Sequence, residues 1–278
     1  MATNAPAADN WSSTAYQNAA AFVPKLATKV VQWLDIQPTD KVLDIGCGDG
    51  ILTNDLAKTL TTGTLHGIDS SASMISTATA AAPANTTYAV LDARSLSSTP
   101  SLQTGAFTKV FSNAALHWIL RDEASRVDVF RGAHAALAPG GTLVFEMGGQ
   151  GNVAEMEATL LAVVARRIGM KRAREVDPWF FPDERWMRNV LGEVGFAVED
   201  VELEYRPTKC EEGAGGGVEG WVRLMGKLFL DAVAEGERDE CVKEVVEALE
   251  TVVGSAAGEY YLGYVRLRVK ARKISGGL

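Results

Sequence analysis

Residues 42–50 read Val42-Leu43-Asp44-Ile45-Gly46-Cys47-Gly48-Asp49-Gly50, an apolar run that passes directly into a glycine-rich turn. A helical pattern begins just afterwards, near Ile51. Glycines in such a turn permit backbone angles that a Cβ atom would forbid, and they let a ligand lie against the main chain. Their spacing is Gly-x-Gly-x-Gly, which differs from the Gly-x-Gly-x-x-Gly of dinucleotide-binding turns. The pattern predicts a ligand-binding turn at the carboxyl end of the first strand of an open α/β sheet.

Outward from this turn, short apolar strands alternate with helical patterns, which predicts a parallel sheet covered on both faces. The strands are predicted at 41–45, 65–69, 87–91, 109–112 and 142–146, and the helices between them at 51–60, 72–81 and 122–137. The segment 137–141, Leu-Ala-Pro-Gly-Gly, is typical of a helix stop followed by a turn. Later strands are predicted at 196–205 and 260–270, and later helices at 153–168, 221–234 and 238–253.

Composition and charge narrow the classes of function. The 278 residues carry a formal net charge of −8, whereas a surface that binds duplex nucleic acid needs clustered Lys and Arg, so no nucleic-acid partner is expected. No apolar run reaches the roughly 18 residues of a membrane span and no signal pattern is present, so we predict a cytoplasmic protein with no membrane partner. The three cysteines include no Cys-x-x-Cys pair, so no metal site is predicted. The sequence does not specify an oligomeric state.

The domain organisation follows from the same patterns. Residues 1–10 are Ala- and Asn-rich and are predicted to be disordered, and residues 11–278 are predicted to form one domain. Cap elements are expected at about residues 152–190 and 211–258 of that domain, where the strand–helix alternation gives way to aromatic and acidic stretches.

Two further predicted strands end in carboxylates. Asp69 follows Gly50 by 19 residues, and a carboxylate there can accept hydrogen bonds from both hydroxyls of a ribose. Asp92 ends the next strand, where it can reach an adenine amino group. The order of these groups predicts a nucleoside ligand. The alternatives are that Asp44 only caps the turn, that Asp69 caps the next helix, that Asp92 is an ordinary loop acid, and that Met74 packs in the core.

These motifs resemble those of the class I S-adenosylmethionine (SAM)-dependent methyltransferases, in particular the branch with trans-aconitate methyltransferase and the malonyl-carrier-protein methyltransferase of biotin synthesis. The resemblance covers roughly residues 11–273, and its most branch-specific string is Ser112-Asn113-Ala114-Ala115-Leu116-His117-Trp118. It implies a Rossmann-like α/β fold with a seven-stranded sheet whose last strand is antiparallel. The sequence pattern itself predicts a helical cap inserted between strands six and seven.

The resemblance also implies the cofactor SAM, with S-adenosylhomocysteine as its product. An N-terminal lid is expected over the cofactor, and Asn113 is expected to hold its methionine end. The alternative for the lid is that Trp11 and Tyr16 simply pack on the sheet. The full set of implied cofactor-binding residues is Trp11, Tyr16, Gln17, Asp44, Gly46, Cys47, Gly48, Asp69, Ser70, Met74, Asp92, Ala93 and Asn113.

The acceptor side has one candidate catalytic residue. His117 is expected at the mouth of the site, and histidine titrates near neutrality, so it is the candidate base. The alternative is that His117 packs beside Trp118 and only shapes the pocket. Aromatic residues predict an apolar pocket for a flat substrate, or else a second core under the cap. The predicted pocket residues are Trp118, Trp179, Phe180, Trp221 and Met225.

The predicted function is SAM-dependent methylation of a small molecule, with O-methylation of a carboxylate or hydroxyl favoured. A carboxylate is ionised at neutral pH and needs no base, whereas a phenol or amine profits from one. The carboxylate-binding residues of the branch find no match in the cap of this sequence. The alternatives are N- or C-methylation of a small metabolite, a non-catalytic SAM-binding relative, and an NAD-dependent oxidoreductase.

Overall fold

A computed structural model of the chain describes residues 27–210 and 216–274. It contains a seven-stranded sheet in the order β3-β2-β1-β4-β5-β7-β6. Strands β1 to β5 are parallel, and β7 lies antiparallel to both β5 and β6. The prediction of a seven-stranded sheet with an antiparallel last strand is confirmed. The strands are β1 (Lys41–Ile45), β2 (Thr64–Asp69), β3 (Thr86–Val90), β4 (Phe107–Asn113), β5 (Leu137–Gly148), β6 (Phe196–Lys209) and β7 (Tyr261–Lys273).

Helices cover both faces of this sheet. On one face, α5 and α8 pack on a core that includes Phe130, Phe145 and Leu191; on the other, α1 and α2 pack around Leu34 and Phe111. None of the described helices is long and apolar enough to cross a membrane. The helices are α1 (Thr28–Leu34), α2 (Ile51–Ala57), α3 (Ala72–Ala80), α4 (Leu116–Ile119), α5 (Arg126–Ala136), α6 (Ala154–Ile168), α7 (Met170–Glu175), α8 (Glu184–Val194), α9 (Gly217–Met225), α10 (Lys227–Asp231) and α11 (Arg238–Val253).

The cap draws its helices from two connections of the sheet. Its core joins α6, which follows β5, to α9, α10 and α11, which follow β6. The sequence predicted cap elements in both connections, at about residues 152–190 and 211–258, although the fold prediction named only the insertion between strands six and seven. The two connections meet for a topological reason: β5 and β6 run in the same direction, so both connections leave from the same edge of the sheet and meet above it.

Several helices and strands begin or end at residues other than the predicted ones, for local reasons. Helix α5 begins at Arg126, because Asp122 caps a short 3₁₀ turn over Glu123–Ser125. The helix predicted at 221–234 divides at Gly226 into α9 and α10. The predicted turn at 137–141 lies inside β5, which is a single strand over Leu137–Gly148.

Candidate functional site

A cavity opens where the carboxyl ends of the central strands meet the cap. The cofactor half of its wall comes from the turn after β1 and from the ends of β2, β3 and β4, and the acceptor half comes from α4, the cap and β7. The lining residues are Gly46, Cys47, Gly48, Asp49, Leu52, Ile68, Asp69, Ser70, Met74, Leu91, Asp92, Ala93, Asn113, Ala114, Ala115, His117, Trp118, Ile119, Asn152, Val153, Trp179, Phe181, Trp221, Met225, Tyr264 and Arg266.

The glycine turn has the backbone that the sequence predicts. Gly46, Gly48 and Gly50 all have positive φ angles, of 74°, 56° and 79°. A Cβ atom on Gly46 would lie 2.2 Å from the Cβ of Ala115, so the turn approaches the end of β4 closely. At Gly46 and Gly48, which line the cavity, the turn therefore presents main-chain groups to it.

Asp69 stands at the end of β2 and lines the cavity. Its carboxylate accepts hydrogen bonds from the backbone N–H of Gly48 at 3.0 Å and of Ser71 at 2.9 Å. The cap of helix α3 is Ser71, whose hydroxyl accepts from the N–H of Met74 at 3.1 Å. The alternative in which Asp69 caps this helix is therefore wrong. Met74 is 4% exposed and also lines the cavity, so it serves both the core and the cavity wall.

Asp92 lines the cavity and is bound to its neighbour Arg94. Its carboxylate caps a 3₁₀ turn by accepting from the N–H of Arg94 at 3.0 Å, and it forms an ion pair with the guanidinium at 2.5 Å. Burial opposes ionisation of Asp92, but the hydrogen bonds from Arg94 outweigh it and lower the pKa of this carboxyl. Asp92 is therefore an anionic acceptor at neutral pH.

Asp44 lies behind the glycine turn and is not among the residues that line the cavity. Its carboxyl is buried and accepts a hydrogen bond from the Thr53 hydroxyl at 2.6 Å. Burial raises the pKa of Asp44 to about 7, against the effect of the Thr53 hydrogen bond and with a contribution from Asp69. Direct contact between Asp44 and a ligand in the cavity, which the sequence predicted, is not supported.

Asn113 ends β4 and carries an unsatisfied acceptor. Its Oδ1 atom is buried and has no hydrogen-bond partner within residues 27–210 and 216–274. Buried polar atoms are normally hydrogen-bonded, so an orphaned acceptor beside a cavity indicates a ligand with a donor group. The ammonium of the SAM methionine is such a donor. Together with the glycine turn and the acids at Asp69 and Asp92, this set of groups fits SAM.

Three of the predicted cofactor residues, Trp11, Tyr16 and Gln17, lie outside the described residues. The remaining predicted cofactor residues, Asp44 excepted, all line the cavity. Their individual roles toward the cofactor stay predictions. Among the described residues, no group of three or more His, Cys, Asp or Glu could hold a metal ion.

Aromatic rings form the wall of the acceptor half. Trp179 is the centre, with ring centroids 5.7 Å from Trp118, 5.9 Å from Phe181 and 5.8 Å from Trp221. Trp179 and Trp221 also belong to the cap core, so the second core is present and its aromatics line the cavity as well; their role toward a substrate stays a prediction.

The assignment of Phe180 to the pocket is wrong, and Phe181 takes its place. Phe180 packs on Trp186 with centroids 4.9 Å apart and stacks under the Arg126 guanidinium at 3.6 Å, on the side away from the cavity. Trp179 and Phe181 stack on each other, so alternate residues of this segment face the same side. Because the sequence shows only three consecutive aromatics, it does not reveal which of them face inward.

His117 lines the cavity but is only 7% exposed. Its Nδ1 accepts a hydrogen bond from the N–H of Gly148 at 3.3 Å, which assigns the remaining proton to Nε2. Burial lowers the pKa of His117 well below its ordinary value, and the charge of Arg266 lowers it further. The ring is therefore neutral and its Nδ1 lone pair is already engaged, which speaks against the predicted base.

Two polar residues of β7 were missed by the sequence prediction. Tyr264 accepts a hydrogen bond from Nε1 of Trp221 at 2.8 Å, and Arg266 donates from Nε to Glu146 at 3.0 Å. The strict alternation of polar and apolar residues over 264–269 did carry a signal, because it places Tyr264 and Arg266 on the same face of the strand. The sequence does not show that this face meets the cavity.

Comparison with known proteins agrees with this geometry. A family model described as a methyltransferase domain matches residues 42–141. An uncharacterized methyltransferase of Schizosaccharomyces pombe is 34% identical over 95% of this chain and 98% of its own length. A trans-aconitate 2-methyltransferase of Delftia acidovorans is 25% identical over 95% and 98% of the two chains. A malonyl-[acyl-carrier protein] O-methyltransferase of a Marinomonas species is 29% identical over 52% of each.

Solved structures give the same fold. A candidate methyltransferase of Bacillus halodurans has a TM-score of 0.61 at 16% identity, over 90% of this chain and 100% of that one. Phosphoethanolamine N-methyltransferase 2 of Haemonchus contortus has a TM-score of 0.55 at 19% identity, over 94% of this chain and 57% of that one. These two likenesses concern the fold alone. The full-length relative, the matched domain and the cavity geometry together exclude the oxidoreductase alternative. The chain therefore belongs to the class I SAM-dependent methyltransferase family.

Proposed function

We propose that this methyltransferase transfers the methyl group to a carboxylate oxygen of a small-molecule acid. The observation that carries the proposal is the lack of a proton acceptor in the described part of the acceptor half. His117 is neutral with its Nδ1 lone pair engaged, and burial raises the pKa of Tyr264 to about 12, so that its hydroxyl stays protonated. An acceptor must therefore arrive already ionised, as a carboxylate does at neutral pH.

Charge in the acceptor half supports the same acceptor. Arg266 is the charged side chain that the described part of the chain contributes to this half of the wall. A cation disfavours an ammonium acceptor, which would also have to lose a proton before it could react. The names of two relatives point the same way, because aconitate and malonyl groups carry carboxylates.

The chain contributes binding, orientation and exclusion of water. When bound, SAM supplies an electrophilic methyl group on a cationic sulfur. The aromatic wall around Trp179 removes water from the acceptor, which leaves the carboxylate less solvated and more nucleophilic. The Nε2–H of His117 is available to orient an acceptor oxygen by a hydrogen bond. Positioning of this kind needs no proton transfer to the protein.

The experiment is a screen with SAM carrying a radiolabelled methyl group and a panel of carboxylic acids, phenols and amines that includes trans-aconitate. We expect labelled products from acids, and we expect mild alkali to release the label as volatile methanol, which is the behaviour of a methyl ester. Label that resists alkali would contradict carboxylate methylation and support N-, C- or ether methylation. An Asn113→Leu variant is the control for dependence on the proposed cofactor site, and it should give no product.

A further inference from the structure

The last strand of the sheet brings a buried cation to the acceptor half of the cavity. Arg266 lines the cavity although the residue is only 4% exposed. Charges that are shielded from water interact more strongly than charges on the surface, because the effective dielectric is lower there. The other described residues that line this half carry no charge: they are His117, Trp118, Asn152, Val153, Trp179, Phe181, Trp221, Met225 and Tyr264.

Glu146 fixes the orientation of the Arg266 guanidinium. The Nε of Arg266 donates to Oε1 of Glu146 at 3.0 Å, between side chains that are 5% and 2% exposed. A guanidinium has five N–H donors in a planar fork, and this contact uses one of them. The structure gives the Nη atoms of Arg266 no hydrogen bond to any residue in 27–210 or 216–274, so they remain available to a ligand.

The negative charge of Glu146 is shared, and it does not neutralise Arg266 by itself. Arg206 donates to the same Oε1 atom at 3.2 Å, and Arg268 donates to Oε2 at 2.5 Å. Burial opposes ionisation of Glu146, but the surrounding arginines, Arg266 first, outweigh it and lower the pKa of this carboxyl. Arg268 is also paired with Glu202 at 2.7 Å and with Glu204, so the positive charge that faces the cavity is that of Arg266 itself. An anion beside this guanidinium would be stabilised.

The position of Arg266 separates this charge from the cofactor half. Asn113 ends β4 in that half, and Arg266 lies on β7, with β5 between them. Neighbouring strands lie about 4.8 Å apart, which puts the two backbones roughly 10 Å from each other. In addition, a carboxylate held by a guanidinium fork has both oxygens engaged, which makes it a poor nucleophile. Arg266 is therefore better placed to hold an anion that does not react.

We propose that Arg266 is a specificity-determining residue, whose Nη atoms bind a second anionic group of the acceptor while another carboxylate receives the methyl group. The proposal rests on the proposed function, because it assumes an acid as the acceptor. The substrate class is then a compound with two or more carboxylates. Glu146 acts as a positioning residue that holds the fork toward the cavity.

A matched pair of variants separates this role from a purely structural one. Arg266→Gln removes the cation that faces the cavity. Arg206→Gln removes a cation from the same oxygen of Glu146, but Arg206 does not line the cavity. If Arg266 serves only to balance Glu146, the two variants should behave alike. An Arg266→Lys variant keeps the charge and loses the fork.

Binding can be measured without turnover. Trp118, Trp179 and Trp221 line the cavity, so tryptophan fluorescence of the protein saturated with S-adenosylhomocysteine should report a bound acid. The probes are malonate, succinate and trans-aconitate, with succinamate as a partner of succinate that keeps only one carboxylate. We expect at least one diacid or triacid to bind the wild-type protein, and succinate to bind about tenfold or more tightly than succinamate, an advantage of roughly 1.4 kcal/mol or more.

The variants should then differ in how strongly they prefer succinate to succinamate. In Arg266→Gln the advantage of succinate over succinamate should fall below about twofold, with Arg266→Lys intermediate, whereas Arg206→Gln should keep most of it. An equal loss in Arg206→Gln, an unchanged advantage in Arg266→Gln, or no response of the wild-type protein to any polyacid would each overturn the proposal. Binding that depends on Arg266 but yields no alkali-labile methyl product would instead contradict the proposed function and leave the anion subsite standing.

Discussion

His117 shows how burial decides the chemistry of a titratable side chain. In the folded protein its ring is neutral, because burial and Arg266 lower its pKa well below the ordinary value. In the unfolded chain an imidazole takes up a proton near pH 6.5. As pH falls through this range, the unfolded state binds the proton first. Stability supplied by the neutral ring is therefore present above about pH 6.5 and is lost on acidification below it.

A His117→Gln variant should remove this dependence. We expect the free energy of unfolding of the wild-type protein to fall more steeply than that of the variant between pH 6.5 and 5, by up to about 1.4 kcal/mol per pH unit. Urea denaturation at a series of pH values measures both. His66 and His134, whose pKa values burial also lowers, are present in both proteins and cancel in the difference. Parallel curves would show that the ring is not buried in its neutral form.

The same variant tests the role of His117 in the reaction. A general base contributes roughly 10²-fold or more, whereas an orienting hydrogen bond can be made by the glutamine amide as well. We expect His117→Gln to lower kcat for an acid acceptor by less than about tenfold. A loss of 10²-fold or more would indicate that His117 acts as a general base, and it would count against a carboxylate acceptor.

At the scale of the secondary-structure elements, the turn after β1 requires glycine at position 46. A Cβ atom at Gly46 would lie 2.2 Å from the Cβ of Ala115, and the φ angle of 74° is unfavourable for any other residue. Gly192 in helix α8 offers the opposite case, because a Cβ atom there would meet nothing within 4 Å.

Alanine substitutions at these two glycines should therefore have opposite effects. Gly46→Ala should destabilise the protein and abolish detectable SAM binding, since the turn and the end of β4 must move apart. Gly192→Ala should stabilise it by about 0.5–1 kcal/mol, because alanine loses less conformational freedom in a helix than glycine does. Thermal unfolding with and without SAM distinguishes them. Normal SAM affinity in Gly46→Ala would mean that the turn is not part of the cofactor site.

Elements differ in how far the sequence could predict them. The turn at residues 46–50 was predictable because its requirement is local: glycines allow the positive φ angles, whatever the rest of the fold. The acids at the ends of β2 and β3 followed from strand periodicity. Phe181 and Arg266 were not predictable as cavity residues, because their role depends on which side of an element meets a distant one. The cap is an intermediate case: both of its stretches, at about 152–190 and 211–258, were predicted from the change of pattern, but only the tertiary packing joins their helices in one core.

For the molecule as a whole, ligand binding should increase the free energy of unfolding. A ligand that binds only the folded state stabilises it by about 2.7 kcal/mol at one hundred times its dissociation constant. We expect SAM and S-adenosylhomocysteine to raise the melting temperature and NADH to leave it unchanged, as measured by differential scanning fluorimetry. An Asp69→Ala variant should lose most of the shift, because a hydrogen bond to a charged group is worth roughly 1.5–3 kcal/mol. A full shift in that variant would remove Asp69 from the cofactor site.

The order of the strands has a consequence for how the protein is made. Strand β7 is the last to leave the ribosome, yet it lies between β5 and β6 in the finished sheet. The described residues that we predict to bind SAM lie at or near the ends of β1 to β4 and precede β7, so that part of the molecule can assemble while translation continues. Arg266 joins the cavity wall only when β7 inserts between β5 and β6. A nascent chain thus contains every residue predicted to hold the methyl donor before it contains the arginine that we propose selects the recipient.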